Sequence, residues 1–229
     1  PSHTGEGPFL VVPEDTAAGR VWYRATDGDG VNDLMVMLNG LVDPAEGWDL
    51  QYAYAINNLG QIVGFGSHNG EQRAFRLTPG VDRESAMVDD LGTLGGGASS
   101  QAYDINDSGD VVGDSNDRGF LWSEQGGMVD IGDLGGMQTS AFGINNSGKV
   151  TGWSLLTRDD RPNHAFLFTP GVGMQDLGYF ALTKKNQGWW SYGRTVNDNA
   201  HVVGRVHISG SSAAVAFLYT DHMINIGTL

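Results

Sequence analysis

"DINDSGDVVG", residues Asp104–Gly113, decides the fold, because the chain writes this phrase four times. Near-copies are "AINNLGQIVG" from Ala55, "GINNSGKVTG" from Gly143 and "TVNDNAHVVG" from Thr195. Aligned on the Ile or Val before Asn, at Ile56, Ile105, Ile144 and Val196, the copies are spaced 49, 39 and 52 residues apart. Periods of that length mark one supersecondary unit repeated in an array.

Each copy reads as a β-hairpin. "QAYDIN" alternates small or apolar with polar residues, as a strand with two unlike faces does. "NDSG" supplies Asn, Asp and Gly, which tolerate the positive φ of tight turns. "DVVG" returns as the second strand, and the Gly that ends it (Gly64, Gly113, Gly152, Gly204) leaves room for a close backbone approach or a bulge. The fourth copy, "NDNAH", carries Ala200 where the others carry Gly, so a less regular turn is expected there. "GFLW" from Gly119 is a third strand, echoed by "RAFRL", "HAFLF" and "VAFLY". A fourth follows around Met128–Ile131, with echoes at Met87, Met174 and Met223.

Four short antiparallel strands in each unit of roughly 40–50 residues define a β-propeller blade. The fold class expected is therefore all-β, a five-bladed propeller in one domain, residues 1–229. Its units fall at about 8–40 (partial), 41–94, 95–134, 135–180 and 181–229. By analogy with WD-type blades, the Ile-Asn strand lines the axis and the Met-x-Asp-Leu strand the rim. The first unit is irregular: "PFLVV" matches a third strand and "LMVML" a fourth, with an insertion between them, and "MINIGTL" finishes a fourth strand at the other end. Either the last blade is incomplete or built with "RVWYRA" from the insertion, or the chain is a piece of a longer one.

Composition agrees with this reading. Thirty-five Gly, 17% charged residues and 40% hydrophobic residues in short runs suit many strands and turns. A net charge of −14 repels phosphate backbones and excludes nucleic acid as an expected partner, leaving divalent cations or neutral glycans. There is no cysteine, hence no disulfide and no thiolate site. No run approaches the ~18 apolar residues of a membrane span, and no basic and apolar leader opens the sequence. An exported protein would already have lost its leader.

"HAFLFTPGVGMQDLG" from His164, "DLGTLGG" from Asp90 and the repeated hairpin together resemble the HAF-repeat family of bacterial, largely extracellular proteins. The triplet His164-Ala165-Phe166 is that family's namesake, and the likeness runs from about Phe9 to the end. The resemblance implies a propeller-like protein in an extracellular or periplasmic location; it implies no particular reaction.

Candidate functional residues depart from the repeat. "DGDGVND", Asp27–Asp33, resembles the start of a calcium loop, with Asp27, Asp29 and Asp33 as ligands and calcium as the expected cofactor. Ala25 and Val36 stand where such a loop has Asp and Glu, so an acidic surface turn is the alternative. Trp48, Trp153, Trp189, Trp190 and Tyr192 are placed in or beside connecting segments, where aromatics stack on sugars or anchor a protein partner; Arg194 completes the stretch "NQGWWSYGR". Packing between blades is the competing role for these rings. His201 and His207 are six residues apart on one strand, about 20 Å, too far to share one ion. His164 reads as a hydrogen-bonded structural group, and Asp90, Asp130 and Asp176 as turn or edge acceptors.

Neither a G-x-S-x-G elbow nor an H-E-x-x-H pair occurs. The expected function is an exported recognition module for a glycan or an extracellular protein, without membrane span. A lyase or glycosidase acting on extracellular polysaccharide is the alternative, and a purely structural repeat protein the third reading.

Overall fold

The computed structural model describes residues 10–11, 20–23, 34–80, 85–156, 163–179, 188–208 and 214–227. Side chains are described from Met37 onward, except those of Trp189 and Ile208. The fold is all-β. A three-stranded sheet is formed by β1 (Leu10–Val11), β2 (Arg20–Tyr23) and β3 (Leu34–Met37), so the insertion supplies its middle strand. Four antiparallel blades follow, each a four-stranded meander in chain order. The first is β4 (Trp48–Ile56), β5 (Ile62–His68), β6 (Glu71–Pro79) and β7 (Ala86–Asp90). The second is β8 (Ser100–Ile105), β9 (Val111–Ser115), β10 (Arg118–Ser123) and β11 (Gly127–Asp130). The third is β12 (Thr139–Ile144), β13 (Val150–Leu155), β14 (Asn163–Thr169) and β15 (Gly173–Gly178). The fourth is β16 (Gly188–Val196), β17 (Val202–Ile208), β18 (Ala214–Tyr219) and β19 (Met223–Gly227).

The recurring Asn explains the recurring phrase. Within its own turn, Asn106 Oδ1 accepts the N–H groups of Ser108 (3.0 Å) and Asp110 (2.9 Å). Its Nδ2 then reaches out of the blade and donates to Asn145 O at 3.2 Å. The same reach joins Asn57 to Asn106 O (3.0 Å) and Asn145 to Asn197 O (2.8 Å), so one ladder crosses three blade boundaries. The next residue doubles the link: Asn58 N donates to Asp107 Oδ1, Asp107 N to Asn146 Oδ1, and Asn146 N to Asp198 Oδ1, at 2.9–3.0 Å. These turns border an open axial hollow of about 310 Å³, lined by the Ile/Val-Asn-Asn/Asp triplets of all four blades. The Ile-Asn strands are therefore the inner ones, as the analogy with WD-type blades expects.

Apolar contacts follow the same blade-to-blade pattern. Val63, Ala74 and Leu91 of the first blade pack against Ala102, Ile105, Val111 and Phe120 of the second. Val112 and Ile131 of the second meet Ala141, Ile144, Val150 and Phe166 of the third. Ala165, Leu167 and Leu177 of the third meet Val196, Val202 and Phe217 of the fourth. Leu38 and Val42, just after β3, cover the corresponding face of the first blade. The Phe of each Ala/Gly-Phe strand, Phe75, Phe120, Phe166 and Phe217, is fully buried.

At the rim, the first residue of each HAF-like triplet has a fixed role. Arg118 pairs with Asp130 at 2.7 Å, and His164 Nδ1 meets Asp176 Oδ1 at 2.8 Å. In the first blade Arg73 stands 4.0 Å from Asp90, which also meets His68 at 2.7 Å. The fourth blade has lost both partners together, with Val215 and Asn225 in their places. The acidic residue also closes the rim turn, accepting the N–H two residues on at 2.7–2.8 Å, as Asn225 does for Gly227. The expected acceptor role of Asp90, Asp130 and Asp176 thus holds.

One expectation fails. The Ala200 turn is as regular as the others: Asn197 Oδ1 accepts Asn199 N (3.1 Å) and His201 N (2.9 Å), and Ala200 N donates to Asn197 O (2.9 Å). Side-chain and backbone bonds of Asn197 impose the turn, and Ala200 is held at φ +63°, a left-handed conformation that costs a residue with Cβ about 1–2 kcal/mol.

Three outcomes follow. Asn106→Asp places a carboxylate against Asn145 O and beside Asp110, so it should destabilise by about 2–4 kcal/mol in urea unfolding. Ala200→Gly relieves the left-handed Ala and should stabilise by about 0.5–1 kcal/mol in the same measurement. Burial works to raise the Asp176 pKa, but the bonds from His164 and Gly178 N–H outweigh it and hold the carboxyl below its ordinary value. Its stabilisation is complete above the unfolded value of about 4 and is lost as pH falls through the lower folded value. Thermal melts in acid should therefore show a shallower loss for Asp176→Asn than for the parent chain.

Candidate functional site

Three of the expected aromatics converge. Trp153 on β13, and Trp190 and Tyr192 on β16, line a cleft of about 550 Å³ between the third and fourth blades. All three lie on strands: Trp153 follows the hairpin's Gly152 on β13, and Trp190 and Tyr192 lie within β16, which like β4 runs nine residues against six for β8 and β12. Within β16, Trp190 pairs with His207. Trp190 and Tyr192 are two apart and so share a face.

Gly136, Met137, Gln138, Leu155 and Asn163 complete the lining. The Gly136–Gln138 segment is fastened to β13: Gly136 N donates to Leu155 O (2.9 Å) and Leu155 N to Gln138 O (2.9 Å). A Cβ at Gly136 would collide with Leu155, so only Gly lets the segment approach this closely. Met137 takes φ +68° and is 44% exposed.

The rings are fixed mainly through edges. Trp153 meets Tyr192 edge-on at 6.3 Å, and His207 meets Trp190 at 6.3 Å and Tyr192 at 5.8 Å. The Arg205 guanidinium stands 5.0 Å from the Tyr192 centroid, a cation–π contact. Trp190 remains 42% exposed. The cleft thus offers an exposed indole, two further ring systems and the amides of Gln138 and Asn163, a mixture of stacking faces and neutral hydrogen-bonding groups.

The remaining expected residues go elsewhere. Trp48 heads β4, stacks on His68 (4.3 Å, 5° between planes) and packs against the first blade's core. Trp189 lies in β16 at a register shift between Gly188 and Trp190; its side chain is outside the described residues. Asp27, Asp29 and Asp33 also lie outside the described residues. Arg194 is exposed and does not line the cleft.

Arg194 belongs instead to an axial belt that the sequence reading missed. Every inner strand bulges two residues before its Ile or Val, at Tyr54, Tyr103, Phe142 and Arg194. A bulge re-aims its residue, and here it also brings the carbonyls of Tyr52, Gln101, Ser140 and Tyr192 so close to Gly64, Gly113, Gly152 and Gly204 that a Cβ would land on them. The belt residues touch in sequence: Tyr54 meets Tyr103 edge-on at 5.3 Å, Tyr103 meets Phe142 at 5.3 Å, and Arg194 lies 4.8 Å over Phe142. Aligning the four phrases and looking two residues back would have shown this column.

Two carboxyls accompany the belt. Burial raises the pKa of Asp114, against the opposing bonds from Tyr103 and Ser140. Burial, then the charge of Asp114, likewise pushes the Tyr103 hydroxyl up. Burial also raises Asp104, whose Oδ1 and Oδ2 accept Ile105 N and Ile144 N, each at 2.9 Å. Neither Asp has a carboxylate counterpart in the other blades, where Ala55, Gly143 and Thr195 match Asp104 and Phe65, Trp153 and Arg205 match Asp114.

The chain has no match among protein-family models and none among curated proteins.

Proposed function

We propose that this protein is an exported recognition module that binds a neutral glycan in the cleft between its third and fourth blades. The observation that carries the reading is the convergence of Trp153, Trp190 and Tyr192 on one cleft of about 550 Å³. Hollows of roughly 300–1,000 Å³ suit a small ligand, and an exposed indole with neighbouring amides suits the apolar face and hydroxyl rim of a sugar ring. The net charge of −14 favours an uncharged ligand over an anionic one. Export is supported by the likeness to HAF-repeat proteins carried by His164-Ala165-Phe166 and the repeated hairpin.

A second reading rests on Asp104 and Asp114, carboxyls held toward their protonated forms near the axis. A raised carboxyl is the ordinary source of a general acid in polysaccharide cleavage.

Trp190→Ala should reduce retention on neutral glycan columns at least tenfold, a change of about 1.4 kcal/mol, while the melting temperature stays nearly constant. Unchanged retention, or a large drop in melting temperature, would remove the cleft as the binding site. Release of shortened products from a retained glycan, abolished by Asp114→Asn, would establish the enzymatic reading instead.

A further inference from the structure

The outward face of the fourth blade differs from its counterparts in the other three. Val203 is 37% exposed, whereas the residues in its place, Val63, Val112 and Thr151, are each 0% exposed. Ile226 is 55% exposed, whereas Leu91, Ile131 and Leu177 are 4, 6 and 7% exposed. Ala216 is exposed where Ala74 and Ala165 are fully buried. In each earlier blade this face is covered by the inner hairpin of the following blade.

The polar ladder ends at the same place. Asn57, Asn106 and Asn145 each donate from Nδ2 to the next turn, but the Asn197 amide is exposed and has no such acceptor among the described residues. A second seam ends with it. Ser100 Oγ accepts Ala74 N (2.9 Å) and donates to Gly92 O (2.6 Å), and Ser191 Oγ does the same for Ala165 N (2.8 Å) and Gly178 O (2.6 Å). Ala216 N and Gly227 O are the corresponding groups of the fourth blade.

We propose that this face is the docking site for one more hairpin of the repeat's own type, other than the four in residues 1–229. The established interface specifies the occupant's chemistry. It carries Ser or Thr five residues before an Ile/Val-Asn pair, to meet Ala216 N and Gly227 O. Its Asn carbonyl accepts the Asn197 amide, and Asn or Asp follows to accept Asp198 N. Small and branched apolar residues on its inner face cover Val203 and Ile226. A second copy of the chain fits poorly: its own matching face, on the first blade, is already filled by Leu38 and Val42. Two fourth blades set face to face would oppose one Asn197 donor to another.

The test uses the full chain and a cyclised peptide of Ser100–Ser115, which has the required Ser, Asn106 and Asp107, after NMR confirms that the peptide is a hairpin. Saturable binding is expected. Ile226→Asp in the chain should weaken it at least tenfold, and Ser100→Ala in the peptide, which removes the hydroxyl that meets Ala216 N and Gly227 O, should do the same. Because Ile226 and Val203 are exposed, Val203→Asp provides an independent variant without loss of folding. Absence of saturable binding by the folded hairpin, or binding that both chain variants leave unchanged, overturns the proposal. Self-association of the chain that Ile226→Asp abolishes, in place of hairpin binding, also overturns it.

Discussion

The side-chain amide of the turn asparagine is the interaction on which the molecule depends. One group performs two tasks that ordinarily need two residues: Oδ1 holds its own hairpin turn, while Nδ2 fastens that turn to the next blade. An aspartate could hold the turn but not make the link, since it has no donor. Buried amides that are fully bonded are stabilising, whereas a buried amide with one end unmet is costly. The phrase therefore recurs as a unit, and its most regular part lies at the axis, where successive turns touch.

The residues placed around this frame show why the blades are alike but not identical. Apolar seams need only a small residue, a branched residue and a Phe in register, so Val63 and Val112 yield to Thr151, whose hydroxyl finds Phe166 O at 2.7 Å. Rim pairing changes partners as a pair: Arg with Asp, His with Asp, then Val with Asn. The bulge column is freer still. Its residues belong to the inner strands, and Tyr54 and Tyr103 carry a hydroxyl, Phe142 no polar group and Arg194 a charge. Ladder contacts restrict the column's backbone and leave its side chains open to specialisation.

The cleft arises in the same way from departure. β16 carries Trp190 beside His207, and Gly136–Gln138, fastened closely to β13, lines the same cleft. Trp48, also at the head of a nine-residue inner strand, meets His68 and the first blade's core instead. Trp48 pairs four residues beyond Gly64 and Trp190 three beyond Gly204, so the two tryptophans lie on opposite faces of their blades and have different surroundings. The ladder carries less far at the fourth blade, where the exposed Val203 and Ile226 are the apolar counterpart of an unextended amide chain.

Hairpins and their four-stranded order were legible in the sequence, because turn chemistry and strand alternation act within about ten residues and four copies repeat them, whereas the inner place of the Ile-Asn strand was expected only by analogy with WD-type blades. The same local logic misjudged Ala200: it weighed the residue's own preference and not the asparagine bonds that override it. Tertiary structure decided which aromatics meet. Trp153 and Tyr192 come from adjacent blades, and the belt needs bulges whose direction depends on pairing with a second strand. Contacts of that kind arise from the angle between sheets and from the register of their strands, quantities that no ten-residue phrase contains.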